Sequence, residues 1–352
     1  MKVAFPHMGG LALVARPFFE ELGFEVIELP KPNRRSIELG VKYAPECACF
    51  PLKVVLGDFI TACEMGADYL VILGGSGPCR FGYYGATLDV ILKRLGYEQR
   101  VLVADRFREP WMKETMQVLG FARISSKIIS AAKIVYRRLR FVEWIHELAR
   151  RTRPFEVKEG NVDKVLEESI NLLKNSNGLQ PNRRDVRELF KKIEKDPSRK
   201  PLRIGLVGEI YMTLESEANY HIERKLGNLG ALVDRRAVGM LSFILDGLGV
   251  AHFRAKKAAK PYLKYSAGGE SLNSVGYSVL FGKWGYDGIV HISPFGCMPE
   301  IVAQTIMDKI GRIYNIPILN IVLDEHTQET GLNTRLEAFI DLLDRRRNVP
   351  RS

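Results

Sequence analysis

The strongest constraint on this fold is an alternation. Short apolar, β-branched runs at 2–5, 24–29, 69–73 and 100–104 are separated by helix-length segments near 11–22, 52–65 and 85–95. Short apolar strands separated by helices argue for a parallel sheet with both faces covered. The theme returns late in the chain, with strand-like runs at 202–207, 288–292 and 317–323. Helical spacing there falls near 216–229, 271–283, 299–312 and 332–346.

The middle is different. Residues 121–159 contain no glycine, and 124–149 and 162–174 carry apolar residues at helical spacing. The stretch 183–201 is dense in charge and ends in Pro197-Ser198-Arg199-Lys200-Pro201, a linker signature. The expected organisation is an α/β domain over 1–105, a basic helical connector over 106–200 and a second α/β domain over 201–352. Both α/β domains are read as doubly wound, flavodoxin- or Rossmann-like parallel sheets. The sequence shows no short-period repeat and no low-complexity segment.

Composition excludes some classes. Hydrophobic residues make up 46% and charged residues 26%, which is ordinary for a globular chain and not for a disordered or fibrous one. No apolar run approaches the roughly 18 residues of a membrane span. The start, Met1-Lys2-Val3-Ala4-Phe5-Pro6, enters a strand-like segment with no secretory core, so a cytoplasmic location is expected.

The net charge of +11 invites a nucleic-acid reading. Its distribution argues otherwise. Residues 1–105 hold 11 basic and 12 acidic side chains, 106–200 hold 23 and 13, and 201–352 hold 18 and 16. The excess belongs to the connector, where no groove-reading motif or aromatic–basic platform occurs. A solvated helical face is the favoured reading. The functional alternatives are docking of an acidic electron-donor protein or of phosphates.

The five cysteines carry the chemistry. An odd count in a chain without a secretory signal makes a disulfide framework a poor reading. Cys49 precedes the helix near 52–65, with Pro51 suited to its first turn. Cys79 lies in Gly74-Gly75-Ser76-Gly77-Pro78-Cys79-Arg80-Phe81-Gly82, directly after a strand. Cys297 lies in Ser293-Pro294-Phe295-Gly296-Cys297-Met298-Pro299-Glu300, again between a strand and a helix. The carboxyl edge of an open α/β sheet is where ligands bind. The partial positive charge of a helix N-terminus is expected to lower a thiol pKa and to stabilise a thiolate–metal assembly. Gly75, Gly77 and Gly296 would let backbone amides approach such an assembly closely.

Ligand spacing leaves several readings open. Cys47-Ala48-Cys49 is one residue too tight for a usual zinc pair, and no ferredoxin-type run exists. One iron–sulfur cluster held from separate loops and plain buried structural thiols stand level, with zinc or a thiol nucleophile behind both. Cys63 falls on the apolar face of its helix and reads as core. Cys47 is either a fourth ligand or a packing neighbour.

Several blocks also carry a resemblance. They are Glu46-Cys47-Ala48-Cys49-Phe50-Pro51-Leu52-Lys53, Gly77-Pro78-Cys79-Arg80-Phe81-Gly82-Tyr83-Tyr84, Gly208-Glu209-Ile210-Tyr211 and Asp287-Gly288-Ile289-Val290. Further along stand Pro294-Phe295-Gly296-Cys297-Met298-Pro299-Glu300, Leu323-Asp324-Glu325 and Thr334-Arg335-Leu336-Glu337-Ala338-Phe339. Together they resemble the 2-hydroxyacyl-CoA dehydratases and their activases, most closely the acyl-CoA dehydratase activase-related, DUF2229-type branch. The likeness covers most of 1–105 and 201–352 and is weak over the connector.

The resemblance implies a [4Fe-4S] iron–sulfur protein whose cysteines, drawn from two α/β domains, hold the cluster between them. Carried over, the ligands are Cys49, Cys79 and Cys297, with Cys47 a fourth candidate; Gly75, Gly77, Arg80 and Gly296 would line the cluster. It implies electron transfer from an ATP-hydrolysing activator, an acyl-CoA substrate and a homo- or hetero-oligomer. Related proteins carry out radical dehydration or small-molecule reduction, the latter on a double-cubane [8Fe-9S] cluster. Five cysteines cannot supply six ligands, so a double cubane would need shared or non-Cys ligands. The chain lacks an activator-type phosphate loop and is not expected to hydrolyse ATP. A cluster carrier or scaffold is the alternative function, with nucleic-acid binding behind it.

Other polar residues are read with a structural role beside the functional one. Lys53 and Arg80 adjoin the candidate ligands and either offset cluster charge or form a helix-start salt bridge. His7, Glu300, Asp324 and Glu325 are candidates for acid–base work. For Glu300 a first-turn position suffices as an explanation, and for Asp324, Glu325 and His326 a tie toward Arg335 does.

Overall fold

The computed structural model describes residues 1–74, 78–104, 121–176, 181–247 and 251–348. Two four-stranded sheets organise them, and every pairing in both is parallel. The first contains β1 (Lys2–Ala4), β2 (Glu25–Val26), β3 (Tyr69–Leu73) and β4 (Arg100–Ala104), in the order β2-β1-β3-β4. The second contains β5 (Leu202–Gly208), β6 (Ala231–Asp234), β7 (Gly288–Pro294) and β8 (Ile318–Leu323), in the order β6-β5-β7-β8. Each first strand is central and the chain leaves it in both directions, as a doubly wound sheet does. The α/β reading stands.

Helices α1 (Leu11–Glu21), α2 (Arg34–Tyr43), α3 (Phe50–Glu64) and α4 (Tyr84–Arg94) accompany the first sheet. Helix α3 is not amphipathic: thirteen of its fifteen residues are buried, from Phe50 to Cys63. It crosses α2 at two glycines. A Cβ on Gly40 would lie 1.7 Å from the Lys53 carbonyl oxygen, and one on Gly57 1.7 Å from that of Ser36. The approach is therefore open only to residues without a side chain.

The glycine-free stretch forms one long helix, α5 (Phe121–Thr152), followed by α6 (Asn161–Lys174) and α7 (Arg183–Lys191). Helix α5 buries Leu139, Phe141, Val142, Ile145 and Ala149 in a core shared with both sheets. Two basic residues of this segment depart from the expected solvated face. Arg138 on α5 and Arg153 just after it are buried, and Arg138 donates to the Leu173 carbonyl at 2.9 Å. Arg153 pairs with Asp163 at 2.6 Å.

Around the second sheet lie α8 (Ile210–Leu214), α9 (Ile222–Asn228), α10 (Met240–Gly247), α11 (Phe253–Ala259), α12 (Ser271–Lys283), α13 (Met298–Ile313) and α14 (Glu329–Asn348). Strand β6 and helices α10 and α11 were not expected from the sequence. The helix expected over 216–229 is confined to α9, because His221 at its N-cap takes a left-handed conformation, φ 57°, that prevents an earlier start.

No helix among the described residues is long and apolar enough to cross a membrane.

Candidate functional site

The site forms where the carboxyl ends of strands from both sheets meet. Gly9, after β1, donates its N–H to Glu215, beyond α8, at 2.9 Å. Lys53, on α3, forms an ion pair with Glu325, after β8, and both side chains are largely buried. A Cβ on Gly296, after β7, would lie 3.7 Å from the Cys47 carbonyl oxygen and 3.9 Å from the Cys49 Cα. The two sheets thus face one another edge to edge, with the loops that carry the cysteines between them.

Each of three thiols stands at a helix start. Cys49 is the N-cap of α3, Cys297 the N-cap of α13, and Cys79 precedes the 3₁₀ turn Arg80–Tyr83. None of the three caps its helix through its side chain. Cys49 and Cys297 are buried and Cys79 partly so. The loop before α12 closes the group: a Cβ on Gly269 would lie 3.6 Å from the Cys79 Sγ and 3.3 Å from Pro299 in the first turn of α13. Gly269 and Gly296 also have positive φ, 48° and 76°, which further favours glycine at each.

Electrostatics correct one expectation. The helix N-termini were expected to lower the thiol pKa values, yet all three are raised. Burial pushes Cys79 up to about 11, and the neighbouring Glu209, Cys49 and Glu300 add to this. Burial, with Glu209 and Glu300, holds Cys297 far above its ordinary range. Cys49 is raised chiefly by burial, against a 2.7 Å hydrogen bond with the Tyr84 hydroxyl that lowers it. Loss of solvation outweighs the partial charge of a helix end when the thiol has no cation in contact.

Three carboxyls share this environment, and two of them escaped sequence reasoning. Glu209, directly after β5, has its carboxyl pushed up to about 7 by burial, while it accepts the Met212 N–H at 2.8 Å. Glu270, before α12, is pushed up to about 8 by burial and accepts from Asn273 at 2.7 Å. Glu300 is fully buried and accepts from His291 Nε2 at 2.8 Å. Glu209 could have been found by its place at the end of a strand, the criterion that singled out Cys79 and Cys297. Nothing local marks Glu270 as buried.

The remaining predicted residues fall as follows. Arg80 donates to the Cys47 carbonyl and so ties the Cys79 loop to the Cys47–Cys49 loop. Cys47 is exposed, and Cys63 is buried in the core with its thiol pushed up to about 12 by burial. His7 bonds within its own half, its Nε2 donating to the Leu29 carbonyl at 2.8 Å. Asp324 closes a turn, accepting from His326 N–H at 3.0 Å and Thr327 at 2.8 Å. Arg335 reaches the Asn320 carbonyl rather than these acids. Gly75 and Gly77 lie outside the described residues.

Among the described residues, no three His, Cys, Asp or Glu side chains are gathered closely enough to hold a metal ion. The cysteine arrangement nevertheless suits a polynuclear group in its donor chemistry: soft sulfur ligands from three loops, helix-start amides beside them, and glycines where backbones crowd the Cys79 sulfur.

Comparison with known proteins finds no curated protein that matches this chain. Residues 8–72 match the family model of the CoA enzyme activase uncharacterised domain (DUF2229), a span that runs from α1 through β3 and holds Cys47, Cys49, Lys53 and Cys63. That match supports the resemblance to activase-related proteins read from the motifs.

Proposed function

We propose that this chain is an iron–sulfur redox protein in which Cys49, Cys79 and Cys297 hold a [4Fe-4S] cluster between the two sheets. The observation that carries the reading is that three buried or half-buried thiols each stand at a helix start, on loops from both halves of the molecule that approach one another at Gly269 and Gly296. When bound, the cluster would supply one-electron transfer at low potential. Cys47, joined to the Cys79 loop through Arg80, is the nearest candidate for a fourth ligand.

The residues around the thiols have separable tasks. Lys53 and Glu325 hold the start of α3 against the end of β8, fixing where Cys49 stands. Glu300 is held by His291 and so fixes the first turn of α13 behind Cys297. The thiols must lose their protons on binding, so assembly is favoured by rising pH. The match to an activase-related domain supports an ATP-dependent activator protein as the electron donor and an acyl-CoA as the substrate class.

Anaerobic reconstitution tests the reading. About four iron and four sulfide per chain are expected, with visible absorbance that reductant bleaches. Cys49→Ser, Cys79→Ser or Cys297→Ser should abolish it and Cys63→Ser should not. A colourless chain that takes up no iron, or equal loading of all four variants, overturns it. Transfer of the cluster to an apo-protein, with no turnover of any acyl-CoA in the presence of reductant and activator, would identify a carrier instead.

A further inference from the structure

A second site lies away from the thiols. A cavity of about 890 Å³ opens between α5, α7 and the edge strand β6, and it shares no lining residue with the cysteine site. Seven arginines and three carboxylates line it.

The carboxylates are already engaged. Glu147 pairs with Arg151 at 2.6 Å, Asp234 pairs with Arg236 at 2.6 Å, and Glu143 accepts the Leu241 N–H at 2.8 Å. Arg150 and Arg235 share Glu223, at 3.6 and 3.3 Å. Three arginines remain: Arg140, Arg183 and Arg203 have no carboxylate within ion-pair distance among the described residues. They come from α5, α7 and β5, so separate elements bring them to one volume.

All three stand on aromatic rings, Arg140 over Tyr136 at 5.8 Å. The Arg183 guanidinium lies 5.0 Å over Trp144, and that of Arg203 lies 4.2 Å over Tyr286. A guanidinium stacked by its flat face keeps its in-plane N–H donors, and those match the paired oxygens of a phosphate.

The volume is that of a small-molecule site and too small for a nucleic-acid duplex or a protein domain. Unpaired arginines on three elements favour a ligand with two linked phosphates over a single oxyanion. We propose that this cavity binds a compound carrying a diphosphate group. The aromatic faces are taken by guanidinium, so the phosphates and not a base are the recognised part.

The chemistry has two sources, inorganic pyrophosphate and the diphosphate of a nucleotide. The test is titration of the full chain with pyrophosphate, adenosine diphosphate, adenosine monophosphate and orthophosphate. Heat and tryptophan fluorescence are the readouts, since Trp144 and Trp284 both lie beneath cavity arginines. Saturable binding of both diphosphates is expected, with the two monophosphates at least about tenfold weaker. Adenosine diphosphate binding tighter than pyrophosphate would assign the organic source, and the reverse the inorganic one. Arg183→Gln and Arg203→Gln should each weaken the diphosphates at least about tenfold, because each removes a charge-assisted pair. Arg34→Gln, at an exposed side chain on α2, should change nothing. Absence of saturable binding by either diphosphate, or equal affinity in the Arg183 and Arg203 variants, overturns the proposal. Thermal melting of each variant separates lost binding from lost fold.

Discussion

The α2–α3 crossing offers a test of the fold with a calculable outcome. In Gly57→Ala the new Cβ would meet the Ser36 carbonyl oxygen at 1.7 Å and its carbon at 2.5 Å. The obstacle is helix backbone, so no side chain can rotate away. The helices must separate by more than about 1 Å, which opens gaps along a densely packed face. Overpacking of this kind costs about 3 kcal/mol, the upper part of its usual range. Alanine recovers about 1 kcal/mol through its better helix propensity. The net loss is about 2 kcal/mol, or roughly 3 °C in the melting midpoint of a chain of 352 residues. The partner measurement is Gly331→Ala in α14, where no atom lies within 4 Å of the added Cβ. There the same chemical change should be neutral or stabilising by up to about 1 kcal/mol. Thermal and urea unfolding of both variants decides the matter. Equal midpoints for the two, or a Gly57→Ala chain as stable as the parent, would refute the close approach of α2 and α3. Because α3 begins at Cys49, the same displacement should also lower iron incorporation.

Other perturbations follow from buried charge. Lys53→Met leaves the largely buried Glu325 carboxylate without its cation and should destabilise by about 2–4 kcal/mol in urea unfolding; Lys53→Arg should recover part of this. Arg153→Met should cost about 3 kcal/mol by the same measurement, since Glu156 and Arg153 are both buried and Asp163 loses its 2.6 Å partner. His146 is held down to about 4 by burial, aided by Arg235, while Glu223 opposes the shift. The folded state therefore binds fewer protons than the unfolded chain between about pH 6.5 and 4, so its contribution is complete above that window and is lost as pH falls through it. The loss reaches at most about 3 kcal/mol, and His146→Gln should flatten that part of the stability profile.

How far the molecule was legible depended on whether the deciding physics was local. Strands such as β3 and β7 were legible because burial on a parallel sheet demands apolar, β-branched runs, and those are visible residue by residue. Strand β6, Ala231–Asp234, is four residues long and signals little by itself; its pairing with β5 makes it a strand. The cysteines were legible as strand-end and helix-start residues. Their protonation was not, because it depends on burial and on Glu209 and Glu300, which the fold brings from elsewhere.

The connector shows the same division at the scale of net charge. Its basic excess was plain in the sequence, and a solvated face was the simplest account of it. The fold sorts those charges into different roles. Arg153 finds Asp163 within the segment, whereas Arg150 finds Glu223 in the second half of the chain. Arg140 and Arg183 instead face a cavity in which Glu147 and Asp234 are already paired and Glu143 accepts a backbone N–H. Counting charges along the chain locates an excess but cannot say which arginines will meet a carboxylate, since some partners, such as Glu223 for Arg150, lie far away in sequence. Only the three-dimensional pairing separates cations that stabilise the fold from cations left for a ligand. The second group, small and held in place by aromatic rings, is where the surplus positive charge acquires a use.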